Sequence, residues 1–181
     1  MLTGNRIVLK QMEESDAAAY TDLLIRNRHV WQAFEPSRSK EYYTIENQRK
    51  AIREDKELFK KGRAYNFGIF LNDNGGLIGD ISLYDVKMGF FQSASTGYSI
   101  DTDLTGKGFA SEALDLMITF AFQTLKLRRM EAGVSPENPR SMRVLEKNGF
   151  RREGLMRENL LINGEWKDHY LYALLAKDLD G

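Results

Sequence analysis

The residues from Leu104 to Leu114, Leu-Thr-Gly-Lys-Gly-Phe-Ala-Ser-Glu-Ala-Leu, are those whose types and spacing suit anion binding. Gly106 and Gly108 carry no side chain, so the backbone can bend sharply there and something else can approach closely. Apolar residues at helical spacing follow from Ala110 to Leu125, so the stretch reads as a glycine loop opening a helix. The first amides of a helix lack internal partners and sit at the positive end of its dipole. A phosphate or pyrophosphate fits such a place. The same eleven residues also read as a tight turn in front of a core helix, and the rest of the chain must decide.

Two familiar phosphate signatures are absent. A Walker loop requires G-x-x-x-x-G-K-[ST]. A dinucleotide fingerprint requires Gly or Ala where Ser111 stands, and an acidic residue about 20 positions later, in a βαβ unit that opens the chain. Three antiparallel-type strands precede the loop instead.

Those strands and their neighbours must position the loop. Arg6 to Met12 starts as a short alternating strand. Ser15 or Asp16 can cap a helix through Ala17-Ala18-Ala19 to about Ile25, and a loop carrying Trp31 and Phe34 follows. Thr44 caps a second helix, Ile45 to Lys61, with Ile45, Ile52 and Phe59 on one face and Gly62 ending it. Ala64 to Leu71 and Leu77 to Val86 form a hairpin around Asn72-Asp73-Asn74-Gly75-Gly76, and Ala94 to Asp101 is a third strand leading into the glycine loop. Arg129 to Ser135 is a further strand. Asn138-Pro139 opens a helix, with a capping Asn and Pro at the first helical position, and Asn148-Gly149 stops it. Leu155 to Ile162 and Trp166 to Leu175 pair around Asn163-Gly164, the dipeptide favoured in type I′ turns. The expectation is one α/β domain, residues 1–181, with about seven strands and four helices.

Composition limits what such a domain does. Lys plus Arg and Asp plus Glu both number 26, so nothing global favours nucleic acid or a membrane. There is no cysteine, which excludes disulfides, thiolate metal sites and a cysteine nucleophile. His29 and His169 are isolated and lack metal-ligand spacing, so no metal is expected. The opening residues contain no signal-like apolar region and no run approaches transmembrane length, which makes the cytoplasm the expected location.

The combined motifs resemble those of the GNAT acetyltransferases. Gly97-Tyr98-Ser99-Ile100 followed by Thr105-Gly106-Lys107-Gly108-Phe109-Ala110-Ser111-Glu112-Ala113 resembles the family's acetyl-CoA-binding motif. Asn138-Pro139-Arg140-Ser141, Leu145-Glu146-Lys147-Asn148-Gly149-Phe150 and Glu153-Gly154 resemble its second motif in the RimJ/RimL form. Asn27-Arg28-His29, Phe34-Glu35-Pro36 and the segment from Leu160 to His169 are similar to RimJ-type ribosomal-protein alanine N-acetyltransferases. The likeness spans nearly the whole chain. It implies a mixed, largely antiparallel sheet flanked by helices, and acetyl-CoA as co-substrate without a metal.

The resemblance also implies roles. Amides of Thr105, Gly106, Lys107, Gly108, Phe109 and Ala110 would bind the CoA pyrophosphate, with Lys107, Arg140 and Arg143 near the adenosine phosphates. Backbone of Tyr98, Ser99 and Ile100 would pair with the pantetheine arm as an added strand. Asn138 and Ser141 would also meet the cofactor. Family members usually carry Gln, Arg or an aromatic at Thr105 and often an acid near Ser95-Thr96; the Tyr that protonates the leaving thiolate is replaced here by Leu145. Ser141, four residues earlier on the same helix face, is the replacement donor. Glu158 is the first candidate for general base, followed by Asp168 and Glu35. Trp31, Phe34, Glu35 and Asp168 are expected at the acceptor.

The resemblance implies a protein N-terminus as acceptor, most directly an alanine of a ribosomal protein; an α-amine (pKa about 8) needs less help with deprotonation than lysine (about 10.4). A small amine such as a polyamine or aminoglycoside, or a non-catalytic acetyl-CoA-binding module, are the other readings. No direct nucleic-acid contact is expected, and the protein would act as a monomer or homodimer.

Overall fold

A computed structural model of the chain describes residues 1–179. The elements in order are β1 (Leu2–Thr3), β2 (Ile7–Lys10), α1 (Ala17–Trp31), α2 (Ile45–Lys60), β3 (Tyr65–Leu71), β4 (Leu77–Lys87), β5 (Ser93–Ile100), α3 (Phe109–Thr119), β6 (Arg129–Val134), α4 (Pro139–Lys147), β7 (Arg151–Ile162) and β8 (Glu165–Leu175). All strands join one sheet in the order β1-β2-β3-β4-β5-β6-β8-β7. Neighbours are antiparallel except β5 and β6, which are parallel. Eight strands stand where about seven were expected. The addition is β1, two residues that pair Leu2 with Leu9 and are too short to show periodicity.

Alternation along the strands builds two faces. Ile7, Leu9, Phe67, Ile69 and Ile81 pack in the main core with Ala113, Leu114 and Met117 of α3 and Leu145 of α4. Val8 and Phe70 pack in a smaller cluster with Ala17 and Tyr20 of α1 and Ile52 of α2. Thr44 caps α2 as expected, accepting from the Asn47 amide. Ile52 is buried and Phe59 packs on the core, but Ile45 at the first turn is exposed.

Two helix ends differ from expectation. α1 continues past Ile25 to Trp31 because polar Asn27 is buried: its Nδ2 donates to the Leu23 carbonyl, and its Oδ1 accepts from the Thr102 amide and hydroxyl. The helix after the glycine loop is α-helical only to Thr119 and then widens into a π turn over Phe120–Thr124. That turn puts Phe120 edge-on against Tyr65 and Phe67. Asn163 and Gly164 both have positive φ (50° and 80°), as a type I′ turn requires.

Candidate functional site

Beyond β5 one 3-10 turn, Thr102–Leu104, leads into the glycine loop. Gly106 and Gly108 lie in the left-handed region at φ 79° and 86°, and Gly108 is the residue preceding α3. Among the described residues, no amide from Gly106 to Ser111 donates within the chain; the first to do so is Glu112, to the Gly108 carbonyl at 3.1 Å. This run of unspent N–H groups lies at the positive end of α3, which suits an anion. Arg6 holds the loop from behind. Its Nη1 donates to the Lys107 carbonyl at 2.8 Å and its Nε to Glu112 at 2.9 Å, with the guanidinium 4.5 Å from the Phe109 ring centroid. Arg140 of α4 donates to the Thr105 hydroxyl at 3.2 Å.

The sheet opens next to this loop. β5 and β6 pair only at Ser93 with Arg129, Ala94 with Met130 and Ser95 with Glu131. Beyond that point β6 stays with β8 through Val134, while Thr96–Ile100 stays with β4. Among the described residues the facing edge of β5 is therefore without a strand partner from Thr96 to Ile100, the stretch that leads to the glycine loop. An extended ligand can add there in place of a strand.

Side chains alternate across β5 at this opening. Tyr98 points to α4, where its hydroxyl lies 2.9 Å from Ser141 Oγ and 3.3 Å from the Ser141 carbonyl. Asn138 fixes this end of α4, its Oδ1 accepting from the Ser141 amide at 3.1 Å, with Pro139 at the first turn. Burial pushes the Tyr98 phenol up to about 12, against a smaller opposing effect of the Ser141 contact, so it stays protonated. Ser99 points to the opposite face and donates to Glu35 at 3.1 Å. Glu35 is half-buried, and that burial raises its carboxyl above the usual range despite Ser99 and nearby Arg38.

Glu35 also borders a cleft of about 140 Å³ between the end of α1, the following loop and the β7–β8 turn. Trp31 lines it; Phe34 does not, although it is half-buried beside it in sequence. The turn closes the cleft through Asn163, whose Oδ1 accepts from Ser37 at 3.0 Å. The other two carboxylates lie elsewhere. Glu158 and Asp168 are exposed on the edge hairpin, where Asp168 accepts the Glu158 amide at 2.8 Å across a bulge in β7. Glu158 holds φ 48° there. Among the described residues, no cluster of His, Asp and Glu is placed to hold a metal ion.

The acetyltransferase (GNAT) domain family matches residues 6–151 of this sequence. The chain belongs to the GNAT acetyltransferase family. It is 44% identical over 178 residues to the probable N-acetyltransferase YjcK of Bacillus subtilis (strain 168), covering 98% of each chain. It is 34% identical over 177 residues to the [ribosomal protein uS5]-alanine N-acetyltransferase of Escherichia coli (strain K12), covering 98% of this chain and 91% of that one. The solved structure of Mycobacterium smegmatis RimJ in complex with CoA-disulfide superposes with a TM-score of 0.92 at 31% identity, covering 97% of this chain and 84% of that one.

For a GNAT acetyltransferase, the departures from the usual motif now have positions. Leu145 is 1% exposed and sealed into the core, whereas Ser141 one turn earlier faces Tyr98. Thr96 is buried and donates to the Ser82 carbonyl, so no acid reaches the opening from that strand position. Lys107, Arg140 and Arg143 are exposed around the loop and α4. His29 is exposed, while His169 is buried beside Gly133 of β6.

Sequence reading did not find three contacts: Arg6 behind the loop, the Tyr98 hydroxyl on Ser141, and Ser99 on Glu35. Each joins residues far apart in the chain. The sequence motif points to Tyr98 and Ser99 through their backbone alone, although strand alternation already sends their side chains to opposite faces.

Proposed function

We propose that the protein transfers the acetyl group of acetyl-CoA to the N-terminal α-amine of a protein, with residues 1–181 acting as one N-acetyltransferase domain. The supporting observation is the opening between β5 and β6, flanked by the unspent amides of the glycine loop, by Ser141 on one face and by Glu35 on the other. Acetyl-CoA supplies an acyl thioester. Amides of Gly106 to Ala110 hold its pyrophosphate, and the free edge of Tyr98 to Ile100 takes the pantetheine arm as an added strand.

Glu35 accepts a proton from the acceptor ammonium, directly or through one water, and the neutral amine forms the C–N bond as the C–S bond breaks. Glu35 suits this role because burial raises its proton affinity and Ser99 fixes its position. Ser141 donates a proton to the departing sulfur and takes up the proton that the nitrogen sheds as the amide forms, so its hydroxyl is restored. Tyr98 can donate to the Ser141 oxygens and so release the Ser141 proton for transfer. Glu158 and Asp168 are the alternative bases, at more exposed positions.

An α-amine, with a pKa of about 8 against about 10.4 for lysine, is the acceptor a single carboxylate handles best near neutral pH. The likeness to a uS5-alanine acetyltransferase supports the alanine N-terminus of a ribosomal protein, and hence a cytoplasmic setting. Incubation with acetyl-CoA and alanine-terminated peptides, followed by location of the acetyl group by mass spectrometry, tests the reading. Transfer to polyamines or aminoglycosides but not to peptides would replace it with small-amine acetylation.

A further inference from the structure

The cleft beside Glu35 has a charge pattern that the transfer reaction does not use. Arg28 stands over the Tyr43 ring at 4.5 Å and Arg38 over the Tyr42 ring at 4.7 Å, and all four residues line the cleft. Stacking on an aromatic face orders a guanidinium while leaving its N–H edge available. Among the described residues neither arginine forms a salt bridge or donates a side-chain hydrogen bond, although Arg38 lies close enough to Glu35 to act against the rise of its carboxyl. Arg6, Arg26, Arg53 and Arg129 are paired, with Glu112 at 2.9 Å, Asp101 at 2.6 Å, Glu14 at 2.7 Å and Glu153 at 2.6 Å, whereas Arg28 and Arg38 combine an available N–H edge with a place in the cleft. The one carboxylate lining the cleft, Glu35, is engaged by Ser99 on β5.

We propose that Arg28 and Arg38 select acceptors carrying a carboxylate within the first few residues after the reacting amine, so that the substrate class is an acidic protein N-terminus. This rests on the α-amine reading above. The amine sits at the Glu35 end, against β5, and the acidic side chain meets the two guanidiniums further along the cleft. Each extended residue spans at most about 3.6 Å, so only the second to fourth positions stay within a cleft of this size. Guanidinium forks match carboxylates in two-point contacts, and lysine side chains of a basic acceptor would meet like charge. Polyamines and aminoglycosides are disfavoured by the same two residues.

The test compares alanine-terminated peptides that differ only by Glu, Gln or Lys at the second to fourth positions. The expected result is a kcat/KM roughly tenfold higher for the Glu peptide than for the Gln peptide, carried mainly by KM and shrinking at high salt. Arg28→Gln with Arg38→Gln should reduce the Glu peptide to the level of the Gln peptide, and Arg38→Glu should turn the preference towards Lys. Equal kcat/KM for Glu and Gln peptides overturns the proposal while leaving α-amine acetylation standing. Calorimetric binding of the same peptides, already N-acetylated, separates the other case. Tighter binding of the acidic peptide without turnover of any peptide supports the cleft assignment and removes the α-amine reading; no binding preference and no turnover removes both.

Discussion

The Tyr98 hydroxyl lies 2.9 Å from Ser141 Oγ, linking the unpaired edge of β5 to the first turn of α4. Asn138 caps that turn and Leu145 anchors it in the core, so the Ser141 hydroxyl is held beside the sheet opening by local and tertiary constraints together. In the proposed transfer this hydroxyl stands in for a tyrosine on α4.

Ser141→Ala should therefore lower kcat by roughly 10²-fold with little change in KM for acetyl-CoA, the scale of a lost general acid. Tyr98→Phe removes only the supporting hydroxyl and should cost less. Steady-state kinetics on both variants checks the order. Equal rates for Ser141→Ala and the parent would remove Ser141 from the chemistry.

Glu35 carries a pH signature. Its carboxyl is raised by burial, so it titrates above an ordinary carboxylate, and activity should rise with pH through that step and again as the acceptor amine, with a pKa of about 8, loses its proton. Glu35→Gln should abolish the lower step and lower kcat/KM more than Glu158→Gln does. The opposite ranking would move the base to the edge hairpin.

Asp80 of β4 stands next to Ser99 in the strand ladder and is raised to about 7, first by burial and then by the charges of Glu35 and Asp55, against a hydrogen bond from Tyr20. A carboxyl whose folded pKa exceeds its unfolded value of about 3.9 favours folding when protonated. That contribution is complete below the unfolded pKa and is lost as pH rises through about 7. Asp80→Asn should flatten this fall and raise stability at pH about 8 by roughly 1–3 kcal/mol. Denaturant melts at both ends of the range measure it; parallel pH dependence in the two proteins would count against a raised Asp80 carboxyl.

Gly108 holds φ 86°, and a Cβ there would lie 3.2 Å from Arg6 Nη2. Gly108→Ala adds a left-handed backbone penalty of about 1–2 kcal/mol and pushes on the Arg6 clamp. It should raise KM for acetyl-CoA more than it lowers kcat, which separates loop binding from chemistry. Arg6→Ala, which frees the Lys107 carbonyl, should act in the same direction.

What the sequence disclosed depended on the range of the interaction. The glycine loop, the Asn138-Pro139 start and the Asn163-Gly164 turn are local backbone requirements, and each sits where its residue types place it. Seven or eight strands was a matter of β1, whose two residues have no pattern to read. The side-chain site was harder to see. Tyr98 and Ser141 are separated by 43 positions, Glu35 and Ser99 by 64, and Arg6 and Glu112 by 106. Such pairs follow from strand order, and the order here includes the parallel step from β5 to β6 that no single segment announces. The glycine loop is thus legible from local residue types, whereas Glu35, third among the carboxylates the sequence offers, gains its contact with Ser99 only where β5 meets the loop after α1.

Acetyl transfer to an α-amine at the β5–β6 opening can be measured as thiol release from acetyl-CoA on mixing with an alanine-terminated peptide. Free CoA and α-N-acetylated peptide should appear in equal amounts, with both nearly lost in Ser141→Ala. Release with polyamines alone, or binding of acetyl-CoA with no release on any amine, would contradict it.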